Sequence, residues 1–175
     1  YDLIRQGVYS YFRYVNDNGG VNGRKLKLIS YDDKFEPKLT VQHAKRLEET
    51  DKIFALVGNV GTVNTMAIEP YLNERNLPLI GVNSGSKELF NPAKPNIFGN
   101  QLSYTIEVDI LTDYLIKEKG VKTLFISYLD TAAGVETLDG VDSALKRHPD
   151  VEVVGKEPHL PTDTDFSAAA QKIKN

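Results

Sequence analysis

At 175 residues, with 41% hydrophobic and 26% charged residues, the chain has the length and balance of a folded α/β-sized domain rather than a disordered or fibrous segment. The formal net charge of -3 comes from acids and bases interspersed along the sequence, with no basic stripe to neutralise a run of phosphates, which argues against nucleic acid as a partner. Cysteine is absent, so disulfides, cysteine nucleophiles and thiolate metal sites are excluded; no apolar run approaches the roughly 20 residues of a membrane-spanning helix.

Hydrophobic period then divides the chain into alternating elements. Ile4, Val8, Phe12 and Val15 recur at helical spacing, and the Asn16-Asp17-Asn18-Gly19-Gly20 run stops that helix. Leu26 and Leu28 alternate with Lys25 and Lys27 up to Tyr31, predicting a strand with one wet face near a sheet edge, closed by Asp32-Asp33. Pro37 suits the first turn of a helix striped by Val41, Ala44 and Leu47, and residues 53–57 form an apolar run that predicts a strand buried on both faces. After the loop from Gly58 to Thr62 comes a helix through Met66 and Leu72, bent at Pro70, then a second buried strand over residues 78–82.

Ile97-Phe98 is a short strand, and Ile106, Ile110 and Tyr114 mark a helix ending at Gly120. Residues 123–126 predict a further buried strand, Leu138, Val141 and Leu145 a helix, Val151 and Val153 a strand, and Phe166, Ala170 and Ile173 a last helix. Strands alternating with helices imply parallel sheets of the doubly wound α/β class. A polar segment from Gly99 to Ser103 marks a boundary, giving regions 1–102 and 103–175.

Two polar loops follow buried strands: Gly58 to Thr62, and Asn83 to Ser86. In open parallel sheets that edge receives ligands, beside helix N-termini that favour anions such as a carboxylate. Thr62 can cap its helix or turn its hydroxyl to a ligand, capping being the commoner role for such a threonine. Ser84 and Ser86 carry the same ambiguity between ordinary loop chemistry and ligand contact. Neither loop holds a G-x-G-x-x-G or the lysine-serine pair of a P-loop, and no serine sits in a G-x-S-x-G elbow.

Asp32 and Asp33 are adjacent on an extended chain and make a poor chelate, so turn formation is the expected role. His43, His148 and His159 lie on polar stretches far apart and read as solvated surface residues. The aromatic run Tyr9, Tyr11, Phe12 and Tyr14 is accounted for by one helix packing on a sheet. No metal, cofactor or catalytic set is assigned.

Tyr14-Val15-Asn16, then Gly19-Gly20-Val21-Asn22-Gly23-Arg24-Lys25-Leu26, then Tyr31-Asp32-Asp33 with Pro37, resembles the opening of leucine/isoleucine/valine-type binding proteins, the type I periplasmic solute-binding family of ABC transporters. Ala55-Leu56-Val57-Gly58 with Thr62, Ala67 and Pro70, Leu77-Pro78-Leu79-Ile80, and Phe166-Ser167 continue the resemblance over essentially the whole chain. It implies a two-lobed α/β protein that captures a small ligand, an amino acid or related carboxylate, and docks on a membrane permease outside the cytoplasm; the alternative is a ligand-sensing domain of a receptor or regulator with the same fold.

Carried over by position, Asn59, Val60 and Thr62, with Asn83, Ser84, Gly85 and Ser86, resemble the first-lobe contacts to the ligand's carboxylate and amino groups, Thr62 being the hydroxyl donor. Which side chain of the 83–86 cluster faces the ligand is open by one residue. Ala133-Gly134 stands where many members place tyrosine-glycine, so Ala133 marks a pocket that departs from the leucine-binding pattern. The resemblance also implies a strand before the opening helix and further elements after Asn175, so the chain is expected to be incomplete at both ends.

Overall fold

A computed structural model describes residues 2–160 and 162–174. The backbone divides into unit 1, Tyr1–Ser84 with Glu88–Gln101, and unit 2, Gly85–Lys87 with Leu102–Asn175.

Unit 1 opens with helix α1 (Asp2–Asp17), whose Ile4, Val8, Phe12 and Val15 stripe is half-buried. Of the aromatic run expected to pack on a sheet, only Phe12 lies on that stripe; Tyr9, Tyr11 and Tyr14 are exposed, because about 100° per residue carries Tyr9 and Tyr14 to either side of it. Tyr11 leans on Tyr14 instead, with ring centroids 6.2 Å apart. The glycine-rich turn then reverses the chain. Val21 and Arg24 form a bridge around Asn22 and Gly23, both at positive φ, the conformation an Asn-Gly pair adopts most readily. A side chain at Gly20 would put its Cβ 2.2 Å from the Arg24 carbonyl, so the close approach requires glycine.

The strand expected from Leu26 to Tyr31 does not form: among the described residues it joins no ladder, and Leu26 N–H donates to Asn16 Oδ1 at 2.7 Å while its carbonyl accepts Asn16 Nδ2 at 2.8 Å. Alternation identifies a wet face, yet a strand also needs a neighbouring backbone, which the pattern does not specify.

Helix α2 (Pro37–Glu49) starts at its proline as expected, followed by β1 (Leu56–Val57), α3 (Thr62–Arg75), β2 (Leu79–Val82), the short α4 (Lys87–Phe90) and β3 (Ile97–Gly99). The three strands lie parallel in the order β1-β2-β3. Leu56, Leu79 and Ile97 share one row and pack with Ala44, Ile68, Leu72, Leu77, Val82 and Leu89.

The adjacent row, Val57, Ile80 and Phe98, is 40%, 47% and 53% exposed, and Phe54 is 91% exposed. Residues 53–57 and 78–82 are therefore buried on one face rather than two, and only Leu56–Val57 of the first run is strand. An apolar run identifies a strand but not how many of its faces are covered.

β2 carries one irregularity. The pairing register shifts between Ile80 and Val82, with Gly81 at φ +69°, so that Leu79 and Val82, three residues apart, are both fully buried.

Unit 2 contains α5 (Tyr104–Lys119), β4 (Thr123–Leu129), α6 (Ala132–Leu145), β5 (Glu152–His159) and α7 (Ser167–Lys174). Ser103 and Thr131 cap α5 and α6 by accepting the N–H groups of Ile106 and Gly134, and Gly120 ends α5 in the left-handed conformation. β4 and β5 run parallel, from Thr123 opposite Glu152 to Leu129 opposite His159. Residues 123–126 are half-buried or exposed, contrary to the buried strand expected. α5 and α6 approach closely at Gly140, where a Cβ would lie 2.5 Å from the Thr105 carbonyl. Among the described residues, no helix is long and apolar enough to cross a membrane.

Candidate functional site

In unit 1 the loops after β1 and β2 continue the sheet by one step. Val60 and Asn83 form a parallel bridge, with Asn83 N–H donating to the Asn59 carbonyl at 2.9 Å and Gly61 N–H donating to the Asn83 carbonyl at 3.2 Å. The bridge holds the two loops side by side before α3 begins. Gly61, at φ +96°, occupies the cap position with no side-chain cap, and Thr62 is the first helical residue. Thr62 therefore does not cap its helix, contrary to the role expected as the commoner one; a residue inside the first turn points its hydroxyl away from the amides a cap would reach.

That hydroxyl pairs with Ser84: the two oxygens are 2.8 Å apart, and the residues are 8% and 0% exposed. The first bond of α3 runs from Thr65 N–H to the Gly61 carbonyl, so the amides of Thr62, Val63 and Asn64 precede it, at the electropositive end of a 14-residue helix.

Gly81 decides which residue of the 83–86 cluster joins this pair. With the bulge, Val82 and Ser84 turn inward and Asn83 is left half-buried, so it is Ser84 of this cluster that meets the Thr62 hydroxyl. Asn59 spends its side chain on the loop, donating to Thr65 Oγ1 at 2.8 Å while that hydroxyl donates to the Gly61 carbonyl at 2.7 Å. Val60 contributes backbone through its bridge.

The remaining candidates belong to unit 2. Gly85 accepts Tyr104 N–H at 2.9 Å, and its Cβ would fall 2.4 Å from the Leu102 carbonyl, which leaves room for glycine alone. Ser86 is fully buried and donates to Glu136 Oε1 at 2.8 Å; the other carboxylate oxygen takes Lys87 N–H at 3.0 Å. Glu136, 3% exposed, was not singled out from the sequence. Its signal was legible, because Glu136, Gly140 and Ala144 are spaced four apart, the buried phase of α6. Ala133 lies half-buried in the first turn of α6, next to Gly134, which packs against the Leu129 carbonyl.

Asp32 and Asp33 form turns as expected, accepting the N–H groups of Lys34 and Phe35, each at 2.9 Å. Asp33 also ties its turn to α2 and α3. Its Oδ2 accepts Thr40 Oγ1 at 2.6 Å and Asn64 Nδ2 at 3.2 Å, and Asn64 donates to Thr40 Oγ1 at 2.8 Å. A cavity of about 70 Å³ borders Asp33, Thr40, His43 and Asn59.

The histidines are more engaged than solvated surface residues would be. His43 stacks on Tyr31 with centroids 5.2 Å apart, His148 sits 2.7 Å from Asp113, and His159 lies 3.2 Å from Ser127 Oγ. Polar sequence around a histidine does not exclude a specific partner brought in by the fold. Among the described residues, no group of three or more acidic, histidine or cysteine side chains is placed to hold a metal ion.

Parallel α/β units carry a hydroxyl pair at a helix N-terminus, beyond the carboxyl ends of the strands, the edge at which open α/β sheets receive ligands. Residues 3–175 match the family of periplasmic binding proteins, and the chain belongs to that family. Leu/Ile/Val-binding protein homolog 3 of Brucella melitensis is 25% identical over 99% of this chain and 47% of its own length. A substrate-binding periplasmic protein from Ralstonia solanacearum matches in structure with a TM-score of 0.80 and 29% identity, over 93% of this chain and 46% of that one. The branched-chain amino acid transporter substrate-binding protein LivJ from Streptococcus pneumoniae, in complex with isoleucine, has the same fold at TM-score 0.78 and 22% identity, over 94% of this chain and 46% of that one. The chain spans about half the length of the curated relatives it matches.

Proposed function

We propose that this chain acts in an extracytoplasmic solute-binding protein that captures a small carboxylate-bearing solute, an amino acid or close relative, and delivers it to an ABC-transporter permease. Unit 1 serves as first-lobe material and unit 2 as second-lobe material, dividing near residue 102. The observation that carries the reading is the buried Thr62–Ser84 hydroxyl pair at the N-terminus of α3. In that pair one hydroxyl donates and the other accepts, so the pair carries a hydroxyl donor of the kind a carboxylate oxygen requires. The first-turn amides add partial positive charge at the same place. The names of the relatives, leucine/isoleucine/valine-binding proteins, point to the same solute class. Asn59, Val60 and Asn83 shape the loops that carry the pair, while Gly85, Ser86 and Ala133 are the unit 2 candidates for solute contact. The reading assigns no chemical transformation: binding energy shifts a conformational equilibrium.

A thermal-shift screen of the full-length protein against amino acids, small amides, carboxylates and nucleotides tests it. A ligand at about 100 times its dissociation constant adds about 2.7 kcal/mol of stability. Thr62→Val is expected to weaken the best carboxylate by about 10- to 150-fold, the loss of one hydrogen bond to a charged group, about 1.5–3 kcal/mol. A stabilising nucleotide with no responding carboxylate rejects the reading, and unchanged affinity in Thr62→Val restricts that hydroxyl to holding the loop.

A further inference from the structure

The turn that carries Phe35 is held in an uncommon conformation. Lys34 and Phe35 are successive non-glycine residues at φ +52° and +62°, a region that a bulky side chain rarely occupies. Asp32 and Asp33 accept their two N–H groups, and the Asp33 carboxylate also receives Thr40 and Asn64. Asn64 is the third residue of α3 and is fully buried, so the turn is tied directly to the first turn of that helix.

This anchoring places the Phe35 ring on Gly61. A Cβ at Gly61 would lie 2.6 Å from Phe35 Cε2, so ring and glycine fit only because the side chain is absent. Gly61 immediately precedes Thr62, the residue whose amide and hydroxyl open the α3 N-terminus. Despite that contact the ring is 43% exposed. A phenylalanine stands at positive φ where glycine closes the turn more easily, and its ring packs on Gly61 while part of its surface meets water. The arrangement provides an apolar surface beside the α3 N-terminus.

We propose that Phe35 is a specificity-determining wall of the unit 1 site: with the carboxylate on the α3 N-terminus, the ring packs against the apolar group that the solute carries next to it. This rests on the carboxylate reading above. Phe35 thereby sets the preference for larger apolar or aromatic substituents over small ones, while Thr62 and Ser84 recognise what all the solutes share.

Titration calorimetry of the full-length protein with glycine, L-alanine, L-leucine, L-phenylalanine and benzoate, in wild type, Phe35→Ala and Phe35→Leu, separates the possibilities. The expected result is that the affinity ratio between large and small members narrows by at least about tenfold in Phe35→Ala, the scale of one lost ring contact. Phe35→Leu, which keeps apolar bulk on Gly61, is expected to lose preference for the two aromatic members first, and it carries the test should Phe35→Ala fail to fold. A merely structural role weakens every member alike, so a ratio that does not narrow overturns the inference even when all affinities fall. Wild type that binds none of the five overturns the carboxylate reading and this inference together; wild type that binds with an unaltered order of preference in the variants overturns this inference alone.

Discussion

The two units solve the problem of a small core differently. Unit 1 gathers Ile68, Leu72, Leu79, Val82 and Leu89, all at 1% exposure or less, around one face of three parallel strands. Among its described residues unit 2 has two strands, with Ile116, Val141, Ala144 and Val151 as buried apolar residues, accompanied by buried Thr112 and Glu136. Unit 2 relies on helix contact and charge instead. α5 and α6 meet at Gly140, and Arg147 spans to Asp109 while Asp113 holds Lys117 and His148. The Thr62–Ser84 hydroxyl pair sits in the unit with the more deeply buried apolar core.

Truncating the core of unit 1 gives the largest expected effect. Leu72→Ala, at a position with no exposure, is expected to cost about 2–5 kcal/mol by chemical denaturation, through lost burial and the cavity left behind. Hydrogen exchange on the same variant sharpens the comparison: faster exchange confined to unit 1 means that the units open separately, and equal acceleration in α5 and α6 means that they unfold as one.

Gly140→Ala comes next, at about 1–3 kcal/mol, because the new methyl meets the Thr105 carbonyl and must force α5 and α6 apart. Unchanged stability would show that the helix pair is looser than its geometry implies.

The smallest effect is electrostatic. Lys117 first, then His148, hold the Asp113 carboxyl well below its ordinary value of 3.8. A depressed carboxylate contributes stability that is fully present above its unfolded value and is lost as pH falls through its folded one. The thermal midpoint is therefore expected to drop below about pH 4, and to drop less in Asp113→Asn. An identical acid profile in the variant would assign the loss to other carboxylates.

Much of this architecture was legible because its signals are local. Pro37 at a helix start and Gly120 at a helix end act through their own backbone, and apolar runs located the strands. What escaped depends on neighbours. Residues 26–31 alternate correctly but join no ladder, and Ile80 and Phe98 are apolar yet exposed, since sequence does not record which face is covered. The loops at 58–62 and 83–86 were found by position, whereas the Thr62–Ser84 pairing required the fold. Phe35 gave no signal, because nothing in a Lys-Phe pair announces a positive φ. Glu136 did give one, as an acid in the buried phase of a helix.

Gly81 has a consequence for anyone moving this segment into another protein. It acts as a phase shifter: upstream of it odd positions face the core, and downstream even ones do. An alignment that follows alternation alone through residues 79–84 will place the wrong polar side chain against Thr62, and a graft that replaces the glycine will carry the residues over but deliver asparagine where serine should be.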